Sequence, residues 1–179
     1  MNTHFRHTAR VALALTLAAA LVGLGSGCAT GDSIAEEAGG VLSTAEFDLD
    51  AYEGKVLVVN FWATWCGPCR LEIPSLVRLR DSFDSKQVAI VGVSMDVNGT
   101  PAKMEVLVRD FAEQFEINYP LYLDSEYELA MRLDKLGHFF PAIPATLIFD
   151  RTGKIRSSHR GVRPFSALGE EIQALLDGA

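Results

Sequence analysis

Cysteine is scarce in this sequence: Cys28, Cys66 and Cys69 are the three in 179 residues, and no second close pair exists to complete a four-ligand structural metal site. His138 and His159 stand far off and isolated, so structural zinc is not expected. Long apolar runs are also missing. The longest, residues 11–24, falls short of the roughly 20 residues a helix needs to cross a bilayer, which disfavours a permanent spanning helix. Basic blocks are absent too. Sixteen Lys and Arg against 23 Asp and Glu give a net charge of -7, and no cationic stretch is long enough to track a phosphate backbone, which excludes nucleic acid as a partner. No internal repeat is visible.

What is present is the balance of one soluble globular domain, 49% hydrophobic and 22% charged. The N-terminus reads as an address. Arg6 and Arg10, with no acid nearby, precede the apolar run, which ends in Gly25-Ser26-Gly27 before Cys28, the pattern of a signal peptide over residues 1–28. The small residues before Cys28 resemble the lipobox of bacterial lipoproteins, which implies a lipid-anchored protein of the bacterial cell envelope, outside the cytoplasm. Gly25 departs from that pattern, since Leu is usual there and Leu24 stands one step further out. Without lipidation, Cys28 is a stray cysteine in a cleaved segment. Residues 29–40, rich in Gly, Ser, Ala and acids, read as a flexible tether, and the folded domain is expected over 41–179.

Within that domain, residues 55–63 are a nearly continuous apolar, β-branched run, which predicts a strand buried on both faces. Leu71, Ile73, Leu76, Val77, Leu79 and Phe83 then keep a helical spacing as far as Asp84-Ser85, with Pro74 expected to kink that helix. A second buried strand is expected over 88–94. Met104, Leu107, Val108, Phe111 and Phe115 predict an amphipathic helix over 102–115. A short strand at 121–123 follows, then a helix over 125–136 with Ser125 as N-cap and Gly137 at its end. Strands at 145–149 and 154–158 flank an Asp-Arg-Thr-Gly turn, and 165–176 closes the chain as a helix. The order predicts an α/β fold with a central sheet covered by helices.

The chemistry concentrates where the first buried strand runs into Cys66-Gly67-Pro68-Cys69 and a helix begins. A thiol at a helix N-terminus meets unpaired N–H groups and the positive end of the helix dipole, which stabilise a thiolate and lower its pKa from about 8.5 toward about 7 or below. Cys66 is the expected nucleophile. Cys69, one turn into the helix, is the expected resolving thiol, which attacks the mixed disulfide and releases reduced substrate. Glu72 lies one further turn along, open to reading either as a solvated helix glutamate or as an acid/base group.

Residues 61–70, Phe-Trp-Ala-Thr-Trp-Cys-Gly-Pro-Cys-Arg, resemble the active-site segment of thioredoxin, and Val59, Asn60, Glu72, Pro74 and the extra mid-domain helix resemble its TlpA/ResA branch. The resemblance implies a thioredoxin-like three-layer fold, a central mixed sheet flanked by helices with one extra helix inserted. It implies a thiol-disulfide oxidoreductase with a redox-active Cys66–Cys69 disulfide and no cofactor. Thioredoxin carries a buried Asp where this chain has Asn60; in the ResA-like branch the carboxylate at the Glu72 position takes over that proton role. Ile143-Pro144 resembles the cis-proline loop, with Pro141 as a competitor, and together with Trp65, Gly67 and Pro68 it is expected to meet the substrate. Trp62 is expected in the core. His138, Phe139 and Phe140 precede the loop, with His138 read as a packed loop residue. Gly67 replaces a glutamate found in some ResA-like relatives, which leans toward a reducing poise.

By that resemblance the partners are a disulfide-bearing exported protein, apocytochrome c among the candidates, and a membrane electron donor of the CcdA or DsbD kind. Two other readings remain. A Sco-like copper chaperone would use both cysteines with a histidine such as His138, although its cysteines are usually three residues apart. A peroxidase of the same superfamily is disfavoured by the lack of a Pro-x-x-x-Thr-x-x-Cys segment.

Overall fold

A computed structural model describes residues 40–135 and 142–178. In chain order its elements are β1 (Val41–Ser43), β2 (Val56–Trp62), α1 (Gly67–Ser82), β3 (Val88–Ser94), α2 (Pro101–Gln114), β4 (Leu121–Leu123), α3 (Glu128–Asp134), β5 (Ala145–Phe149), β6 (Ile155–Arg160) and α4 (Phe165–Leu176). The strands form one mixed sheet in the order β1-β4-β3-β2-β5-β6. β2, β3, β4 and β1 run parallel, while β5 and β6 pair antiparallel on the other side of β2. The central strands are the apolar runs of the sequence: every residue of β2 is buried, as the absence of alternation requires.

Successive residues of a strand point to opposite faces, so Asn60 and Trp62 share one face of β2. Asn60 bonds Glu72 of α1 and Trp62 packs on Phe111 of α2, ring centroids 5.0 Å apart, so both helices cover that face. Thr146 stands opposite Asn60, and His159 opposite Thr146, which places His159 on the same face, where it reaches Glu171 of α4 at 2.8 Å. On the other face, Phe47 sits edge-on to Tyr122 at 5.2 Å, and the hydroxyls of Tyr52 and Tyr122 are 3.1 Å apart.

Three local expectations are corrected. In α1 only Leu71 departs from the expected stripe: it is 73% exposed, and Glu72 joins Cys69, Ile73, Leu76 and Leu79 on the buried face. In α2, Leu107 likewise faces out while Ala112 is buried beside Met104, Val108 and Phe111. Helix α3 starts at Glu128 without Ser125 as its cap. Tyr127 takes a left-handed conformation (φ 57°), and the buried Asp124 carboxylate accepts from the backbone N–H groups of Leu129 and Ala130 at 3.2 and 2.9 Å. A carboxylate satisfies those free donors better than the hydroxyl next to it. Strand β1 escapes the sequence pattern because three residues give too short a run to show a period. The signal peptide, Cys28, the tether up to residue 39, Gly137, His138, Phe139, Phe140 and Pro141 lie outside the described residues.

Among the described glycines the least room for a side chain is at Gly92, opposite Asn60: a Cβ there would lie 2.6 Å from Leu121 Cδ2 and 2.9 Å from Trp62 Nε1. Gly92→Ala is therefore expected to destabilise the protein by about 1–3 kcal/mol through overpacking, read as a lower urea midpoint with an unchanged m-value.

Candidate functional site

β2 and β3 are parallel, and the chain leaves the carboxyl end of β2 through Ala63-Thr64-Trp65 to enter α1. Cys66 is the N-cap of that helix, with extended backbone angles (φ -81°, ψ 104°) and its Sγ accepting from the Cys69 N–H at 3.2 Å. The first turn of α1 holds Pro68, which needs no N–H partner there, and no acid that would oppose a thiolate. Cys66 and Cys69 are joined in a disulfide, both nearly buried, while Trp65 beside them is 59% exposed. The side of Gly67 is open, with nothing within 4 Å of where a Cβ would stand, so glycine is not required by space at that position.

Glu72 is fully buried, so it is not a solvated helix glutamate. Its Oε2 accepts from Asn60 Nδ2 at 2.8 Å and its Oε1 from the Arg163 backbone N–H at 2.8 Å. Asn60 spends its second amide hydrogen on Thr146 Oγ1, 3.0 Å away. Burial drives the Glu72 carboxyl above the usual carboxylate range, opposed by the two hydrogen bonds and by the charges of His159 and Arg163. A buried carboxyl one helical turn from Cys69, with its pKa raised, holds its proton to higher pH than a solvated glutamate does.

The Ile143–Pro144 bond is cis. Ala145 pairs with Phe61, so Pro144 sits at the end of the sheet from which the loop to Cys66 departs. Its carbonyl accepts from Gly161 N–H at 2.8 Å, two residues before the N–H that holds Glu72, so one turn between β6 and α4 supports both. Trp62 is completely buried. The histidine set aside in the sequence as isolated, His159, is paired with Glu171. Among the described residues no group of three or more His, Cys, Asp or Glu is placed to hold a metal ion, and no helix is long and apolar enough to cross a membrane.

Residues not anticipated from the sequence complete the surroundings. Arg163 contributes a backbone N–H, which no side-chain pattern reveals. Asp96, just past β3, is buried and accepts from Thr64 N–H at 3.0 Å, Thr64 Oγ1 at 2.7 Å and Ser94 Oγ at 2.7 Å. Its signal was an acid directly after an apolar strand.

Residues 34–158 match the family model described as AhpC/TSA. The thioredoxin-like protein YneN of Bacillus subtilis is 32% identical over 120 residues, 67% of this chain and 65% of that protein. The thiol-disulfide oxidoreductase ResA of Oceanobacillus iheyensis is 34% identical over 63% of this chain and 53% of its own length, so the chain spans about half to two thirds of these two relatives. Among solved structures, StoA from Bacillus subtilis superposes with a TM-score of 0.55 at 27% identity, covering 66% of this chain and 82% of that one. A putative thiol:disulfide interchange protein DsbE from Chlorobium tepidum gives 0.60 at 28% identity, covering 72% and 84%. The fold is thioredoxin-like, a mixed sheet with helices.

Proposed function

The chain belongs to the AhpC/TSA family, and from that premise we propose that it is a thiol-disulfide oxidoreductase that reduces disulfides of exported proteins. The observation that carries this reading is the Cys66–Cys69 disulfide at the N-terminus of α1 with the buried Glu72 carboxyl one turn below it. In the reduced protein the Cys66 thiolate attacks a substrate disulfide. One substrate thiolate leaves, and a mixed disulfide forms on Cys66. Glu72 takes the proton of Cys69, whose thiolate attacks Cys66 Sγ. The Cys66–Cys69 disulfide closes, two electrons have passed to the substrate, and the proton follows to the second leaving sulfur. Trp65, Gly67, Pro68 and the Ile143–Pro144 turn border the nucleophile and form the surface that an extended substrate meets.

The N-terminal segment supports a location outside the cytoplasm, with Cys28 as the lipid-bearing residue anchoring residues 41–179 through the tether. Such a compartment is oxidising, so the pair needs a membrane dithiol donor of the CcdA or DsbD kind to reopen it. Apocytochrome c, whose cysteines must be reduced before haem attachment, is the client class we favour. The experiment is capture: the Cys69→Ser protein expressed with its native N-terminus in its own host is expected to hold a client on Cys66, released by dithiothreitol. Recovery of only glutathione on Cys66 would sink a protein-disulfide role. Copper titration of the reduced protein checks the chaperone alternative, and weak binding is expected.

A further inference from the structure

Thr64, two residues before the nucleophile, is held at every polar atom it has. The Asp96 carboxylate takes its N–H and its hydroxyl, at 3.0 and 2.7 Å. Its carbonyl accepts from Arg70 Nε and Nη2, at 2.9 and 2.5 Å. Asp96 is itself fixed by Ser94 Oγ, and the Arg70 guanidinium lies over the Phe111 ring, 5.6 Å from its centroid. Phe111 belongs to α2, the helix inserted between β3 and β4, and it stacks in turn on Phe115 at 4.2 Å. Asp96 stands on the connection from β3 into that same helix. The inserted unit therefore reaches the loop before Cys66 from two sides, through a buried carboxylate at its entry and an aromatic face in its body.

Resting on the oxidoreductase reading, we propose that Asp96, Arg70 and Phe111 are positioning residues that clamp Thr64 and so hold Cys66 in the N-cap geometry that stabilises its thiolate. The link is short: the Cys66 N–H donates to Ala63 O at 3.1 Å, and its Sγ faces the Cys69 N–H, so any drift of residues 63–65 displaces the sulfur from the helix end. A charge at a helix N-terminus gains its stabilisation within the first turn, so a displacement of this kind weakens it. Loosening the clamp disfavours the reduced thiolate form more than the disulfide, which is tied covalently to α1 in any case. The inserted helix thereby acquires a task in the redox chemistry beyond filling the sheet face.

The test is the equilibrium of the purified protein with dithiothreitol, which needs no client. Asp96→Asn cannot accept at both oxygens, Phe111→Leu removes the ring under Arg70 while keeping an apolar side chain, and Thr64→Val removes one donor. Each is expected to move the equilibrium toward the Cys66–Cys69 disulfide, by about tenfold for Asp96→Asn, or about 30 mV, and to slow alkylation of Cys66 by iodoacetamide by about tenfold. Thr64→Ser, which keeps the hydroxyl, is expected to behave as wild type. A merely structural role would lower the unfolding temperatures of the oxidised and reduced forms alike and leave the equilibrium constant unmoved; that outcome overturns the proposal. So does a shift toward the dithiol in Asp96→Asn, because loss of a nearby negative charge by itself acts in that direction. If wild type fails to reduce insulin while these shifts appear, the oxidoreductase reading falls and the clamp stands.

Discussion

Cys66→Ser is expected to slow insulin-disulfide reduction by about a thousandfold or more, as removal of a nucleophile does, while Cys69→Ser should stop the reaction one step later, as an isolable mixed disulfide. The asymmetry follows from position. Cys66, 5% exposed, is the N-cap, its sulfur facing a backbone N–H and its neighbour Trp65 standing out into solvent, so of the two sulfurs it is the one expected to meet an incoming disulfide. Cys69 is 1% exposed and lies within the helix, where only an intramolecular partner finds it. Mass spectrometry of the Cys69→Ser protein mixed with an oxidised peptide should show the adduct on Cys66, and full insulin reduction by Cys66→Ser would reverse the assignment of roles.

How far this site was legible depends on which physical signal each part emits. β2, β3 and β5 announce themselves as continuous apolar runs because both their faces are covered, and β3, β4, β5 and α4 were expected with the boundaries observed. The cysteine pair is legible from spacing and from the strand that precedes it. Glu72 is instructive in the opposite way. A search for apolar residues assigns Leu71 to the buried face of α1 and leaves Glu72 outside, yet positions 69, 72, 73, 76 and 79 form the stripe, and the glutamate lies on it. An acid on a buried stripe breaks the hydrophobic pattern, and such a break marks a group whose burial is compensated elsewhere, here by Asn60 and the Arg163 N–H. The Thr64 clamp and the Asp124 cap of α3 are invisible to periodicity for another reason. The clamp joins segments 32 residues apart and the cap spans five and six, and each works through a single carboxylate whose partners are backbone donors or hydroxyls, which carry no pattern.

Asn60→Asp is expected to be among the most damaging single changes in the domain, and its damage should grow with pH. Asn60 is 1% exposed and donates both amide hydrogens, to Glu72 Oε2 and to Thr146 Oγ1. A carboxylate in its place has none to give, so two carboxyl groups face each other in a buried site and share one proton, with apparent pKa values that belong to the pair. The folded protein then holds a proton that the unfolded chain releases at about pH 4. Stability is accordingly retained below that pH and lost as pH rises toward the higher folded-state value. At neutral pH the penalty of an uncompensated buried charge is about 3–5 kcal/mol, against a much smaller loss at about pH 4, read from urea midpoints across the range. Retention of the shared proton should also slow resolution by Cys69, so mixed disulfide accumulates at neutral pH. The double change Asn60→Asp with Glu72→Gln leaves one carboxyl, now on the strand as thioredoxin has it, and should recover most of the lost stability. A destabilisation that is flat with pH, or one the second change does not relieve, would show that the two side chains do not act as one titrating site.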